Sequence, residues 1–285
     1  MLISVLLGKP VEHSFSPKLF AIYAQALGKM EYAHIKCAIE PENLADAVKG
    51  LVHFGFVGAN VTLPYKMEVM QYLDTISDEA KAAGAVNTIK VEGTKLSGYN
   101  TDVFGAMEAI KQSRGHAVST SDNALIFGSG GAARALVSGF LQKGCNITVL
   151  CRSPHSEKTK AFSETFGDKV KILPYTDYKM TNLANFSLVC NATSLGMTPD
   201  INSSPLDLLE GSRVEESMAH VLFFDVVFNP QKTKFLAQGE ALGAKLLGGT
   251  DMMIYQGVIA FELWTGTKVT PELITQAKDA LAKQI

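Results

Sequence analysis

A glycine turn set between a strand and a helix constrains this 285-residue chain more than any other feature of its sequence. The apolar run Asn123-Ala124-Leu125-Ile126-Phe127 leads directly into Gly128-Ser129-Gly130-Gly131-Ala132-Ala133-Arg134, and Ala135 to Leu141 continues with helical character. This is GxGxxA in the context it requires. Glycine permits the tight turn and lets the backbone approach a pyrophosphate, while the next helix turns its N-terminal amides toward the anion. Gly128, Ser129, Gly130, Gly131 and Ala132 are therefore candidate cofactor-binding residues. A turn that only joins two elements is the alternative, and the strand before and helix after weigh against it.

The turn belongs to a series. Further apolar runs at 146–150, 170–173, 186–190 and 221–225 alternate with helical stretches, and an earlier series has strands near 2–8, 31–39 and 56–61. Amphipathic segments at 17–28 and 41–53 separate the early strands, so the pattern predicts parallel α/β sheets. The length is about twice that of a usual domain. The expected organisation is a first α/β domain over 1–104 and a Rossmann-type dinucleotide-binding domain over 105–248. C-terminal helices in 249–285, near 250–265 and 271–284, return to the first domain. The hinge falls near Thr101 to Gly105, and the polar stretch Lys111 to Asp122 reads as a surface connection.

With 26 basic and 28 acidic side chains the formal net charge is −2, which supplies no broad field to attract nucleic acid or a membrane surface. Cys37, Cys145, Cys151 and Cys190 lack CxxC or metal-ligand spacing, so no metal site is expected and the thiols read as reduced and cytoplasmic. Met1 to Gly8 is apolar but has no basic segment before it, and is better read as a buried strand than as a targeting signal. No apolar run approaches the ~20 residues that span a bilayer.

The choice of cofactor is made at the end of the strand after the glycine turn. An NAD site would place an acidic side chain there to hold the ribose 2′-hydroxyl, whereas this chain has Cys151-Arg152-Ser153. Arg152 can pair with a 2′-phosphate and Ser153 can donate to it, so NADP is the expected cofactor. Lys158 is a further candidate phosphate contact. An exposed arginine at a strand end is the plainer alternative.

Candidate catalytic groups cluster at element boundaries in the first series. Ser16 before Pro17 is an ordinary helix start, with Ser16 as N-cap and Pro17 at N1, but that does not explain Ser14. Two hydroxyls beside free helix amides also make a carboxylate site without arginine. After the third strand, Thr62 or Leu63 is expected to cap a helix with Pro64 in its first turn. That would set Lys66 at the positive end of the helix dipole, at a cost of about 0.3 to 1 kcal/mol. A placement that breaks a local preference suits a proton donor, although a solvated surface lysine fits the same pattern. Asp102 opens a helix over Val103 to Ile110, where it is favourable as a dipole partner alone. Its convergence with Lys66, Asn60 and Asn87-Thr88 at the ends of successive elements points to a ligand site.

Taken in order, Ser14-x-Ser16-Pro17, Asn60-Val61-Thr62-x-Pro64-x-Lys66, Gly84-Ala85-Val86-Asn87-Thr88 and Asn100-Thr101-Asp102 resemble the shikimate dehydrogenase family, which includes shikimate/quinate dehydrogenases. The resemblance continues through Asn191-Ala192-Thr193-Ser194-Leu195-Gly196-Met197, Asp225-Val226-Val227-Phe228-Asn229-Pro230 and Gln256-Gly257, and so covers essentially the whole chain. It implies NADPH-dependent, reversible reduction of 3-dehydroshikimate to shikimate in aromatic amino-acid biosynthesis, by a cytoplasmic monomer or homodimer. Lys66 and Asp102 would be the catalytic pair. Ser14 and Ser16 would take the substrate carboxylate, and Asn60, Thr62, Asn87, Phe228 and Gln256 would complete the substrate site. Thr193, Val226 and Gly249 would join the glycine turn, Arg152 and Ser153 around NADP.

The chain departs from the family pattern in several places. Lys18-Leu19-Phe20 replaces a segment that usually carries histidine, and Val103 stands where glycine is usual. Phe228 replaces a tyrosine and loses its hydroxyl. Cys151-Arg152-Ser153 replaces Asn-Arg-Thr, and Asp251-Met252-Met253 replaces Gly-Met-Leu. A relative that takes quinate or another hydroxylated acid, with NAD, is the alternative enzyme; a ligand sensor without turnover is the alternative outside catalysis.

Overall fold

The computed structural model of the chain describes residues 1–178, 180–209 and 217–283; Gln284, the end of the expected last helix, lies outside them. The chain divides into two compact units, Met1–Gly105 with the segment from Ile254 onward, and Ala106–Met253.

The first unit contains β1 (Leu2–Gly8), α1 (Ser16–Tyr23), β2 (Tyr32–Ala38), α2 (Leu44–His53), β3 (Gly58–Val61), β4 (Thr75–Ile76), α3 (Asp78–Ala83), β5 (Thr88–Glu92), β6 (Lys95–Tyr99) and the start of α4 (Thr101–Arg114). Its strands form one sheet in the order β2-β1-β3-β5-β6-β4. β1 runs parallel to β2 and β3, as the sequence pattern predicts, but β5 runs antiparallel to both β3 and β6. The sheet is therefore mixed. The cause is local: only Gly93 and Thr94 separate β5 from β6, with Gly93 at φ 62°, and a connection of that length returns the chain as a hairpin.

Alternation along β1 sends side chains to both faces of this sheet. Val5 and Leu7 join Leu44, Val48 and Leu51 of α2 in one apolar cluster. On the other face Phe20 and Tyr23 of α1 pack with Phe261 and Trp264, their ring centroids 5.1 to 6.5 Å apart. Trp264 Nε1 donates to the Ile89 carbonyl at 2.8 Å, and a Cβ on Gly58 would lie 2.1 Å from that indole nitrogen. Only glycine lets the helix that carries Trp264 approach β3 so closely.

The second unit holds the rest of α4, then β7 (Asn123–Phe127), α5 (Gly131–Gln142), β8 (Asn146–Cys151), α6 (Glu157–Phe166), β9 (Lys171–Pro174), β10 (Leu188–Asn191), β11 (Leu222–Asp225), α7 (Lys234–Ala241), β12 (Lys245–Leu247) and the start of α8 (Gly249–Thr265). The last helix, α9 (Pro271–Ala282), belongs to the first unit. All six strands are parallel, in the order β12-β11-β10-β7-β8-β9. Counted within the unit this is the 3-2-1-4-5-6 order of a Rossmann fold, whose switch point lies between β7 and β10. α4 continues to Arg114, four residues into the expected surface connection, where Arg114 Nη2 bonds Asp122 Oδ1 at 2.8 Å. Among the described residues, no helix is long and apolar enough to cross a membrane.

Candidate active site

The strand register collects the polar boundary residues of the first unit at one end of its sheet. Leu7 of β1 pairs with Val61, Asn60 pairs with Thr88, and Thr88 pairs with Tyr99. Thr62, Asn87 and Asn100 therefore lie side by side just beyond the strands, although their positions in sequence are far apart. The reversal of β5 makes this possible: its first residues, not its last, join the carboxyl ends of β1 and β3.

Lys66 and Asp102 meet here. Lys66 Nζ lies 2.6 Å from Asp102 Oδ2, with the side chains 15% and 9% exposed. A contact this short between ionised groups is a charge-assisted hydrogen bond, and little water competes for it. Asp102 occupies the second position of α4, whose N-cap is Asn100: the Asn100 side-chain oxygen accepts from Val103 N–H at 3.3 Å, and its amide donates to the Ala85 carbonyl at 2.9 Å. The helix start thus fixes the carboxylate.

Lys66 is placed differently from the sequence expectation. Residues 63–67 form a turn, followed by a 3₁₀ helix over Glu68–Tyr72, so no α-helix dipole acts on Lys66. The reason lies in the backbone. Val86 N–H takes the Lys66 carbonyl at 2.7 Å, so Met70 N–H turns to Met67 at 3.3 Å, and the α-helical ladder cannot form. That same bond ties the Lys66 backbone to the segment leading into Asn87.

Asn87 is the hub of the amide cluster. Its side-chain oxygen accepts from Thr101 N–H at 2.7 Å and from the Thr88 hydroxyl at 3.1 Å. Its amide donates to Thr101 Oγ1 at 3.0 Å and to Gln256 Oε1, from α8, at 3.4 Å. Asn60 joins through its amide, which lies 3.2 Å from Thr88 Oγ1. Thr88 and Thr101 link three of the expected substrate residues to one another; in the sequence pattern Thr88 stands beside Asn87 at the converging boundaries, but neither threonine has a role of its own there. Their signal was adjacency to Asn87 and Asp102, which ordinary threonines share.

Ser16 is not the N-cap of α1. Phe15 occupies that position without a side-chain cap bond, and Ser16 is the first helical residue. The Ser16 hydroxyl is engaged elsewhere: Ser14 Oγ donates to Ser16 Oγ at 3.0 Å and accepts from Ser16 N–H at 3.2 Å, while His34 Nε2 lies 3.2 Å from Ser16 Oγ. Thr62 follows β3, held by Thr62 N–H to the Leu7 carbonyl at 2.9 Å.

In the second unit, β7 is followed by Gly128 at φ 105°, a conformation that L side chains rarely adopt. Gly130 stands at the N-cap of α5 with no side-chain cap, which leaves amides of Gly131, Ala132 and their neighbours for an anion. A Cβ on Gly130 would lie 3.6 Å from Lys158 Nζ, so that ammonium sits over the turn. Arg152 and Ser153 follow β8 and are exposed. Across the switch point, a Cβ on Gly128 would lie 3.0 Å from Thr193, whose hydroxyl donates to Asn191 Oδ1 at 2.6 Å. The turn, the strand-end cations and the bare helix start fit a dinucleotide phosphate group.

Below this turn, Asp225 organises the loop after β11. It accepts from Thr233 Oγ1 at 2.6 Å, from Val227 N–H at 2.9 Å and from Asn191 Nδ2 at 3.0 Å. Burial pushes its carboxyl up to about 6 despite those three donors. Val226 and Phe228 are carried on this loop. A Cβ on Gly249 would lie 2.3 Å from the Val226 carbonyl, so α8 begins pressed against it. Phe228 and Gly249 belong to the second unit, while Gln256, on the same helix as Gly249, belongs to the first.

A Rossmann unit with a phosphate-ready turn, joined in one chain to a unit presenting a shielded lysine–carboxylate pair, is the architecture of a nicotinamide-dependent dehydrogenase. The profile of the shikimate dehydrogenase substrate binding domain matches residues 6–89, and that of the shikimate 5′-dehydrogenase C-terminal domain matches residues 249–277. The chain is 38% identical to a shikimate dehydrogenase (NADP(+)) of Methanococcus maripaludis, across 96% of this chain and 94% of the relative. A shikimate dehydrogenase solved in complex with NADP+ superposes with a TM-score of 0.85 at 35% identity, covering 99% of this chain and 96% of the other. The Thermus thermophilus shikimate 5-dehydrogenase, solved with NADP(H) and shikimate, gives 0.82 at 33% identity over 99% of this chain and all (100%) of that one. The chain belongs to the shikimate dehydrogenase family.

Proposed function

We propose that this chain catalyses the reversible, NADPH-dependent reduction of 3-dehydroshikimate to shikimate. The observation that carries the reading is the Lys66–Asp102 contact of 2.6 Å, sheltered and bordered by the amide cluster. Relatives named for NADP(+), and a related structure that holds NADP(H) with shikimate, support it.

In this reading residues 1–104 bind the substrate, 105–248 bind the cofactor, and the helices of 249–285 complete the substrate site through Gln256. NADPH, when bound, supplies the hydride that reduces the ketone carbon. As charge develops on the ketone oxygen, the Lys66 ammonium stabilises it and delivers a proton to it. Asp102 holds Lys66 Nζ in place through its charge-assisted bond and accepts from a neighbouring substrate hydroxyl. Ser14 and Ser16 donate to the carboxylate, and Asn60, Thr62, Asn87 and Gln256 take the ring hydroxyls. Phe228 offers a ring face without a donor. Gly128 to Ala132 bind pyrophosphate, Thr193, Val226 and Gly249 border the cofactor, and Arg152, Ser153 and Lys158 favour the 2′-phosphate. The four free cysteines suit a reducing cytoplasm, with the chain acting as a monomer or homodimer.

Steady-state oxidation of shikimate and quinate with NADP+ and NAD+ tests the assignment. Shikimate with NADP+ should give the highest kcat/KM. A higher value for quinate with NAD+ would overturn it.

A further inference from the structure

Behind the Ser14–Ser16 pair runs a polar chain, buried at Ser4, His34 and Ser16, that the proposed catalytic steps do not use. Tyr32 Oη lies 2.5 Å from Ser4 Oγ, Ser4 Oγ lies 2.7 Å from His34 Nδ1, and His34 Nε2 lies 3.2 Å from Ser16 Oγ. Ser4 is fully buried, and His34 and Ser16 are each 7% exposed. The imidazole packs against Phe20, at a centroid distance of 4.4 Å, and against Trp264, at 6.0 Å and nearly parallel. Neither ring nitrogen has bulk water beside it, so both must be satisfied by the two serines.

The direction of the protons along the chain follows from the groups at its ends. A phenol is a better donor and a poorer acceptor than an aliphatic hydroxyl, so Tyr32 gives its proton to Ser4. Tyr32 also remains protonated, because burial raises its pKa well above the ordinary phenol value. Ser4, having accepted, gives its own proton to His34 Nδ1. A neutral imidazole with Nδ1 as acceptor carries its proton on Nε2, and that proton points to Ser16 Oγ. Burial alone pushes the His34 pKa down to about 3, so the ring is neutral across the working range. Ser16 Oγ accepts from His34 and, before a ligand draws the Ser14 proton away, from Ser14. With the ring donating to it, the Ser16 hydroxyl has no acceptor on His34, and its own proton is left to be given to a ligand.

We propose that His34 is a positioning residue for substrate binding: held as the Nε2–H tautomer by Ser4, it donates to Ser16 and reserves the Ser16 hydroxyl proton for the substrate carboxylate. The opposite tautomer would accept the Ser16 proton and leave the carboxylate facing a lone pair. Identification of the ligand group as a carboxylate rests on the proposed function, whereas the tautomer does not.

Two measurements test the proposal on the full-length enzyme. Nitrogen-15 NMR of the histidine side chains should show His34 protonated at Nε2 and bare at Nδ1; an Nδ1-protonated ring overturns the proposal. In kinetics, His34→Phe keeps a packed ring and removes both nitrogens, and should raise the shikimate KM about tenfold, the equivalent of one hydrogen bond of about 1.4 kcal/mol. The KM for NADP+ and kcat should change little. His34→Gln, whose amide can still donate toward Ser16, should recover part of the loss. Ser4→Ala, one step further from the substrate, should raise the shikimate KM in the same direction if the phenylalanine variant does not fold. An unchanged shikimate KM in folded His34→Phe or Ser4→Ala, or a loss confined to kcat or to thermal stability, overturns the proposal. Absence of shikimate-dependent NADP+ reduction in the unmodified enzyme would instead remove the assigned reaction.

Discussion

At the scale of single residues, the role proposed for the Lys66–Asp102 pair can be tested apart from cofactor binding. Lys66→Met keeps the length of the side chain and removes the proton it can give. Positioned acid–base catalysis is worth roughly 10²- to 10⁴-fold, so kcat should fall by that order while NADPH binding, followed by fluorescence titration, stays nearly unchanged. Unaltered turnover would exclude Lys66 as proton donor. His34 and Asp225 make a second residue-scale prediction, because their shifts oppose each other. His34 has its pKa lowered to about 3 by burial, against 6.5 in the unfolded chain. Its contribution to stability is present above pH 6.5 and is lost as pH falls toward 3. Asp225 has its pKa raised to about 6 from 3.8. Its contribution is fully present below 3.8 and is lost as pH rises through 6. Each slope is about 1.4 kcal/mol per pH unit with opposite sign, so the two nearly cancel between pH 4 and 6. Replacing His34 with phenylalanine removes one of them. Relative to the parent, the stability of the variant should rise on acidification from pH 6 to 4, as read from urea midpoints; parallel pH profiles would exclude this coupling.

At the scale of elements, the loop after β11 shows how one side chain serves both a helix and a buried charge. Thr233 caps α7 by accepting from Leu236 N–H at 3.3 Å, and the same hydroxyl donates to Asp225 at 2.6 Å. Thr233→Ala loses a cap and a bond to a buried carboxylate, together about 2 to 4 kcal/mol of stability in urea unfolding, whereas Thr233→Ser should lose little. A loss under about 0.5 kcal/mol, the ordinary range for surface substitutions, would show that Asp225 is held without it. Elements whose cause is local were legible in the sequence. β1 and β7 are predominantly apolar runs, and the expected ranges 2–8 and 123–127 coincide with the strands observed. The β5–β6 hairpin went unread although Thr88-Ile89-Lys90-Val91 alternates and Gly93-Thr94 marks its turn; its pairing with β3, which closes the site, is not a local property. Lys66 illustrates the same limit. Thr62-Leu63-Pro64 reads as a helix start, and what prevents the helix is a carbonyl claimed by Val86, twenty residues away. His34 could not have been found at all from spacing: it occupies a strand otherwise made of Tyr32, Ala33, Ile35, Lys36, Cys37 and Ala38, and its meaning comes from Ser4 and Ser16 on neighbouring elements.

At the scale of the whole molecule, the chemistry is divided between units that differ in sheet type. The second unit is fully parallel, and a parallel sheet brings every strand's carboxyl end to the same edge, where the glycine turn, Arg152 and the Asn191–Asp225 loops meet. The first unit needs its antiparallel strand to gather residues from both strand starts and strand ends, which suits a substrate bearing a carboxylate at one side and hydroxyls around a ring. On the proposed reading the groups that choose the cofactor lie in the second unit, and substitutions there should leave Lys66 and Ser16 untouched. Arg152 is the test. It is exposed and has no acidic residue beside it in sequence, since Cys151 precedes it and Ser153 follows. A charge-assisted pair with the 2′-phosphate is worth about 1.5 to 3 kcal/mol, so Arg152→Ala should raise the NADPH KM on the order of 10- to 100-fold. The NADH KM should hardly move. Thermal unfolding gives an independent measure: a ligand present at 100 times its Kd stabilises the fold by about 2.7 kcal/mol, and the variant should lose about half or more of the NADP+-induced rise in Tm at that same concentration. Equal losses for the two cofactors would mean that Arg152 acts on a feature they share, and would move the origin of NADP selectivity to Ser153 and Lys158.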